Sequence, residues 1–394
     1  MKKMSFPLIM LFAVAAGLAV ANVYFAHPLL DVMADTFGIS QAAVGIIITA
    51  TQVGYGVGLL LLVPLGDLVD SRKLIVLQLG LLGLFLLIVG LAPSVFVLLA
   101  GMIMMGLMAV VTQTLVAFAA NMAGDAERGR VVGTVTSGIV IGILLARTIA
   151  GALADLAGWR TVYFVSAAFT LLIAGVLYRI APVAEKRSAG GTYPQLLKSV
   201  FVLFASEPVL LTRGIIAMLL FAAGTVLWTP MVLPLSEPPF SLSHTEIGLL
   251  GLAGVAGALG AARAGRWADS GYAQWTSGIG LTLVLLSWIP VACMGYSLWA
   301  LIIGVIVFDF GLQAVHVTNQ SIILKVRPEA RSRITGGYMV FYSVGSGTGS
   351  VASTITYAHF GWTGVCVLGA AISAVGLLCW GISTYKLNLS VLHR

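Results

Sequence analysis

The chain has 394 residues, of which 59% are hydrophobic and only 9% charged, and its formal net charge is +7. Soluble domains carry roughly 25% charged residues, so a mean hydropathy of +1.05 excludes an ordinary soluble enzyme or binding domain. The positive charge leaves open a nucleic-acid or membrane-surface partner, a choice that its distribution along the chain decides.

The apolar residues fall in twelve runs, each about long enough to cross a ~30 Å hydrocarbon core as a helix. In chain order they cover about 6–27, 42–63, 74–92, 95–121, 131–157 and 161–180, then 211–234, 245–265, 276–294, 297–323, 335–357 and 363–385. Hydrocarbon offers no partner to backbone N–H and C=O groups, so each run is expected to be an α-helix. The period-two alternation of an outer-membrane barrel is absent. The first run follows Lys2 and Lys3 and holds Ala19-Val20-Ala21, which imitates a signal peptide. It exceeds a signal-peptide core in length and eleven further runs follow, so it is expected to remain as the first helix. Between the two sets of six lies a polar stretch, 181–210, with Glu185, Lys186 and Arg187 and the pair Gly190-Gly191. Within it, 192–206 reads as a short amphipathic helix with Pro194 in its first turn, suited to the inner membrane surface.

The second set of runs repeats the first at a constant offset of 203 residues. Phe37, Ser40 and Gly45 recur as Phe240, Ser243 and Gly248; Arg128 and Arg130 as Arg331 and Arg333; Gly142 as Gly345; Gly158-Trp159 as Gly361-Trp362. A fixed offset with no slippage implies two homologous halves with the same helix order. The expected organisation is a six-helix bundle over 1–180, a cytoplasmic linker over 181–210 and a second bundle over 211–394.

With both termini in the cytoplasm, 19 of the 21 Lys and Arg fall in inner loops, tails or inner helix ends. Arg160 is assigned to an outer loop and Arg147 to the interior of a span. That is the positive-inside pattern, so the basic surface faces anionic lipid and a nucleic-acid partner is not expected. Cys293, Cys366 and Cys379 lack framework or metal-ligand spacing and read as packing residues. The dipeptide Gly-Lys never occurs, so a phosphate-binding loop for ATP-driven pumping is missing from the sequence. No cofactor or metal is expected.

Between the second and third runs the sequence reads Gly66-Asp67-Leu68-Val69-Asp70-Ser71-Arg72-Lys73. Together with the duplicated six-helix plan this resembles the major facilitator superfamily, whose Gly-x-x-x-Asp-Arg-x-Gly-Arg-Arg signature is matched at Asp67, Arg72 and Lys73. The first Gly, the Arg after Asp and the later Gly are not matched. The second half has the better Gly frame, Gly265 to Asp269, without the basic pair. The resemblance implies a cytoplasmic gate in which Asp67, Arg72, Lys73, Asp269, Arg331 and Arg333 pair with one another and with helix termini; a turn with ordinary surface charge is the alternative. The fifth run, Gly138 to Gly151, is similar to the antiporter motif of the twelve-helix bacterial drug:proton antiporters. Its glycines match at Gly138, Gly142 and Gly151, whereas Ala146 and Arg147 replace the motif's Gly and Pro. Small residues at such spacing also serve helix packing alone. In the fourth run Met102 stands where proton-coupled exporters often carry Arg.

Arg147 and Asp309 are the ionised residues read as lying well inside spans, where a charge costs several kcal/mol by the gentlest scale. In the superfamily, helix 5 of one half lies near helices 8 and 10 of the other. The resemblance therefore implies that Arg147 and Asp309 pair in one state, and that protonating Asp309 releases the pair. A static pair that fixes helix packing is the competing reading. Asp309, Gln313, His316 and Gln320 share one helical face. His316 is either part of a proton relay with Asp309 or a hydrogen-bonded intrahelical histidine. Helices 1, 4, 7 and 10 line the superfamily's cavity, which nominates Asn22, Tyr24, Gln113, Thr225, Trp228, Gln313 and Asn319 as substrate contacts. Met102, Met104, Met105 and Met108 provide either an adaptable apolar surface or ordinary packing. His27, His244 and His359 are expected to be interfacial or solvated.

The expectation is thus an all-α membrane protein of twelve transmembrane helices in two pseudo-symmetric six-helix bundles, both termini cytoplasmic. It is expected in the cell inner membrane, as a monomer embedded in the lipid bilayer. The implied function is secondary transport by alternating access, with proton-coupled efflux of small apolar or amphipathic compounds. A sugar or metabolite exporter or importer of the same fold is the nearest rival. A membrane sensor would need a signalling domain and an intramembrane enzyme a fuller constellation than Asp309 and His316, so neither is favoured.

Overall fold

The apolar runs become helices, and glycine decides where those helices touch. A computed structural model of the chain describes residues 5–124, 127–182, 193–327 and 330–392, with side chains left aside at 67, 258, 261, 262, 269, 331, 332 and 386–392. Among the described residues there is no β-strand, and nine helices are long and apolar enough to cross a membrane. The fold divides into two compact units: Met1–Ile39, Ile46–Leu197 and Leu235–Gly251 form one, and Ser40–Gly45, Lys198–Pro234 and Leu252–Arg394 the other.

In unit 1, α1 (Phe6–Ala21) starts with Pro7 in its first turn and stops at Asn22, whose Nδ2 donates back to the Leu18 carbonyl at 2.9 Å. The first run is therefore shorter as a helix than its apolar length. A 3-10 turn at His27–Leu29 leads into α2 (Leu30–Phe37), ended by Gly38 at φ 65°. Next come α3 (Ile46–Leu61), α4 (Ser71–Gly90), α5 (Val95–Ala109) and α6 (Val111–Met122). The Asp70 carboxylate caps α4 by accepting from the Arg72 N–H at 3.0 Å, and such a cap satisfies one of the orphan donors of a helix start. The fourth run holds as one apolar span, Val95–Met122, in which α5 and α6 meet at a turn at Val110 and the Thr112 hydroxyl donates to the Ala109 carbonyl. The unit continues with α7 (Arg128–Ala157), α8 (Trp159–Ile180) and the first residues of α9 (Tyr193–Ser206), which from Lys198 onward belongs to unit 2.

Two seams hold this unit together. A Cβ added at Gly54 would lie 1.8 Å from the Ile103 carbonyl oxygen, which ties α3 to α5. One at Gly138 or Gly142 would lie 2.2 Å from the carbonyl of Ala13 or Gly17, which ties α7 to α1. Helices in lipid gain little from hydrophobicity against one another and associate by such close approach. Packing thus accounts for the glycines of the antiporter-like run.

Unit 2 contains α10 (Pro208–Trp228), the start of α11 (Val232–Ser236, which passes into unit 1 after Pro234), α13 (Gly254–Trp267), α14 (Ala273–Leu286), α15 (Trp288–Ala292), α16 (Leu298–Val326) and α17 (Arg331–Leu392); α12 (His244–Leu249) belongs to unit 1. The seventh run breaks between α10 and α11 around Pro230, which lacks the N–H a helix needs. The eighth breaks too: α12, a 3-10 turn at Leu250–Ala253 and α13 replace one span. The 53-residue apolar stretch Arg333–Tyr385 would reach about 80 Å as one straight helix, more than twice a hydrocarbon core. Gly361 divides it at φ 60°, and its repeat partner Gly158 ends α7 at φ 84°, conformations that side-chain-bearing residues rarely adopt. Glycine seams recur here, with Gly345 against the Met218 carbonyl and Gly349 against that of Ala222.

Candidate transport site

In unit 1 the end of α1 gathers polar groups. Asn22, almost fully buried, accepts from the Ser166 hydroxyl of α8 at 2.7 Å. The Tyr24 ring stacks on His27 at 5.8 Å and lies under the Arg147 guanidinium, whose Cζ is 5.3 Å from its centroid. A cation over an aromatic face keeps part of its electrostatic stabilisation where water is scarce. Arg147 is 7% exposed and His27 only 3%, so of the two places expected for His27, interfacial or solvated, burial excludes the solvated one. Beside them, α1, α7 and α8 line a half-open groove of about 490 Å³, whose walls include Met10 and the exposed side chains of Val14, Leu145, Ile149 and Phe169. Thr134, Ser137 and Ser166 bring the hydroxyls of its lining. Gln113, the remaining expected substrate contact of this unit, is half-buried on α6.

In unit 2, Asp309 lies on α16, 9% exposed, and receives the Trp228 indole N–H at 3.4 Å. Gln313 is one turn on, its Cγ 3.0 Å from where a Cβ on Gly257 would lie. Thr225 turns its hydroxyl onto its own helix, to the carbonyls of Phe221 and Ala222. His316 hydrogen-bonds through Nδ1 to the Tyr338 hydroxyl at 3.1 Å and meets the Phe221 ring edge-on. Asn319 is fully buried and accepts from Arg213.

Arg213 is the buried charge that the sequence reading passed over. Only 3% exposed on α10, it donates to Ser277 Oγ at 3.0 Å, Asn319 Oδ1 at 3.1 Å and Gln274 Oε1 at 2.8 Å. Three neutral acceptors from α14 and α16 thus surround a guanidinium. Its position five residues into α10 resembles the many basic residues at inner helix ends, which is why charge distribution alone did not separate it.

Of the expected gate residues, Arg72 donates to the Tyr178 carbonyl and stands 5.9 Å from that ring's centroid. Lys73 is exposed and Arg333 half-buried. The side chains of Asp67, Asp269 and Arg331 lie outside those described. Met102, Met105 and Met108 are buried, with the Met102 sulfur accepting from the Thr51 hydroxyl at 3.6 Å, whereas Met104 is 36% exposed. Also unexpected is His244, whose two ring nitrogens meet Asp31 and Asp155.

The family profile described as Major Facilitator Superfamily matches residues 10–269 and 233–388. The chain belongs to this superfamily. It is 48% identical over 373 residues to the "Uncharacterized transporter YgaY" of Escherichia coli O157:H7, covering 95% of this chain and 94% of the relative. It is 26% identical over 382 residues to the "Uncharacterized MFS-type transporter YbcL" of Bacillus subtilis, covering 94% of each. Among solved structures, a bacterial homologue of the human lysosomal transporter Spinster, inward-facing and occupied, superposes with a TM-score of 0.79 at 15% identity and 96% coverage of each chain. The nucleoside transporter NupG superposes with a TM-score of 0.72 at 13% identity, covering 95% of this chain and 99% of that one. At those identities the likeness establishes the fold alone. This superfamily member is accordingly an all-helical, multi-pass membrane transporter for small molecules.

Proposed function

We propose that this transporter is a proton-coupled exporter of small apolar or amphipathic compounds. It works by alternating access as a monomer of the cell inner membrane, with twelve spans and both termini cytoplasmic. The observation that carries this reading is the half-open groove of about 490 Å³ along α1, α7 and α8, whose lining is aliphatic and aromatic apart from a few hydroxyls. Such a lining favours an alkyl or aryl body and offers no charged partner to a hydrophilic solute. Asp309 takes up the proton, and Arg147 is the cation that balances its charged form. Both are held where ionisation is costly, so a change in either is a large electrostatic event. Asn22, Tyr24, Gln113, Thr225, Trp228, Gln313 and Asn319, none of which lines that groove, contact substrate at another stage of the cycle, His316 acts with Asp309, and Asp67, Arg72, Lys73, Asp269, Arg331 and Arg333 close the cytoplasmic side.

A second reading, transport of a sugar or similar polar metabolite, is favoured by the Arg213, Gln274, Ser277 and Asn319 cluster. A relative from Mannheimia succiniciproducens, 24% identical over 243 residues, carries the name "Probable sugar efflux transporter". Proteoliposomes with an imposed pH gradient separate the two. A fluorescent lipophilic compound is expected to move in response to the gradient, and Asp309→Asn to abolish that response. Gradient-independent movement of the compound, or gradient-driven movement of radiolabelled sugar alone, would overturn the exporter reading.

A further inference from the structure

The segment Leu235–Gly251 comes from the second half of the sequence yet packs as part of unit 1. What fastens it is a cluster at the end of α7 opposite Arg128 and Arg130, the end that the positive-inside pattern turns outward. His244 Nδ1 lies 3.0 Å from Asp155 Oδ1, and Nε2 lies 3.1 Å from both oxygens of Asp31. Asp155 accepts in addition from the backbone N–H groups of His244 and Thr245 and from the Thr245 hydroxyl at 2.6 Å.

The proton count of this trio follows from its geometry. An ionised carboxylate only accepts, and a neutral imidazole has one donor and one acceptor nitrogen. Two carboxylates facing both ring nitrogens are satisfied only by an imidazolium, or by one protonated carboxyl. Either way the trio holds one proton more than a neutral histidine and two carboxylates. The groups around it are few. Packed against α12 are α7, which carries Asp155 and Arg147, and the turn bearing His27. Asp31 and Asp35 lie on α2, and Glu246 on α12 itself is engaged in a capping box with Ser243. Hydrogen bonding to Asp31 is the largest influence on His244 and raises its pKa, with burial opposing.

We propose that Asp31, Asp155 and His244 form a one-proton binding site that latches the Leu235–Gly251 segment onto α2 and α7. Loss of the proton leaves a ring lone pair against a carboxylate and releases the segment. The latch also reaches the transport residues. A Cβ on Gly248 would lie 2.5 Å from the Arg147 carbonyl oxygen, and one on Gly251 would lie 3.1 Å from Arg147 Cβ. The fastened segment therefore lies on the backbone of Arg147, and its release uncovers that turn of α7. The proton site stands on these contacts; its link to transport rests on the function proposed above.

The test uses the full chain in lipid nanodiscs and needs no substrate. Hydrogen–deuterium exchange, corrected for the chemical rate, is followed in 235–251 from about pH 5 to about pH 9, on both sides of the ordinary histidine value of 6.5. Protection is expected at the acidic end and to be lost as pH rises, in step with the ring nitrogen signals of His244 in histidine-labelled protein. His244→Gln is expected to remove the pH dependence of protection, and Asp31→Asn to shift its loss to lower pH. Equal protection across the range in the unaltered chain, or an unchanged profile in His244→Gln, would overturn the latch. A chain that moves no lipophilic compound but keeps the protection profile refutes the exporter reading and supports the proton site.

Discussion

Two segments, the loop 40–45 and 243–248 at the start of α12, occupy matching places in the duplicated sequence, and each packs on a helix from the other half. In unit 2 the first rests on α17: the Ser350 hydroxyl donates to the Gly45 carbonyl at 2.9 Å and Thr354 to that of Ala42 at 3.0 Å. In unit 1 the second rests on α7, where the Thr148 hydroxyl donates to the Gly248 carbonyl at 3.0 Å. A Cβ on Gly45 would meet the Ser350 carbonyl oxygen at 2.6 Å, and one on Gly248 the Arg147 carbonyl oxygen at 2.5 Å. Ser350 and Arg147 are themselves repeat partners, so the backbone docking is shared. The charge is not. Where unit 1 has Asp31, Asp155 and His244, the matched positions hold Pro234, Ala358 and Gln41. Geometry has been kept on both sides, and a titratable lock exists on one.

The largest expected effect tests the shared part. Gly248→Leu and Gly45→Leu each force a side chain into a backbone contact, and overpacking of this kind costs about 1–3 kcal/mol or more. Both variants are expected to lower the thermal unfolding midpoint in detergent and to lose transport in proteoliposomes. If one glycine tolerates leucine, the two dockings are not equivalent and the comparison fails.

Asp155→Ala comes next and tests the unshared part. It strips an acceptor from the His244 ring, two backbone N–H groups and a hydroxyl, and losing hydrogen bonds to a charged group costs about 1.5–3 kcal/mol. Thr354→Val, which removes an uncharged docking bond to Ala42 in unit 2, is expected to cost about 1 kcal/mol. Comparable unfolding midpoints for the two would remove the asymmetry.

Much of this framework is legible in the sequence because it depends on local rules. Apolar run length gives the helices, and the constant 203-residue offset gives the duplication, including the matched breaks at Gly158 and Gly361. What escapes is whatever depends on distant partners. His244 is 213 residues from Asp31 and 89 from Asp155, so nothing near it announces an ion pair. Arg213 looks like one more inner-end cation until Gln274, Ser277 and Asn319 arrive from α14 and α16. The division of the eighth run into α12, a 3-10 turn and α13 is hidden as well, since Gly248, Gly251 and Gly254 do not interrupt its apolar character.

A smaller effect follows pH. A histidine whose pKa is raised by docking contributes fully below its ordinary value of 6.5 and loses that contribution as pH climbs through the raised value. The midpoint difference between the unaltered chain and His244→Gln is therefore expected to be widest at acidic pH and to close on the alkaline side. Gln41→His, at the matched place in the other loop, lacks the carboxylate partners and is expected to show no such closing. A pH-independent difference for His244→Gln would mean that the ring acts by packing alone.

The smallest effect belongs to single hydroxyls. Thr148→Val and Ser350→Ala each remove one hydroxyl bond that supports a docked loop, worth about 0.5–1.5 kcal/mol. Neither group titrates, so the two losses are expected to match and to stay constant across pH. Thr148 nevertheless sits beside Arg147, under a segment that the latch fastens, whereas the positions matched to the latch above Ser350 are Pro234, Ala358 and Gln41. If the cost of Thr148→Val grows as pH rises while that of Ser350→Ala does not, the hydroxyl and the latch share one load, and the two loops differ in cooperativity as well as charge.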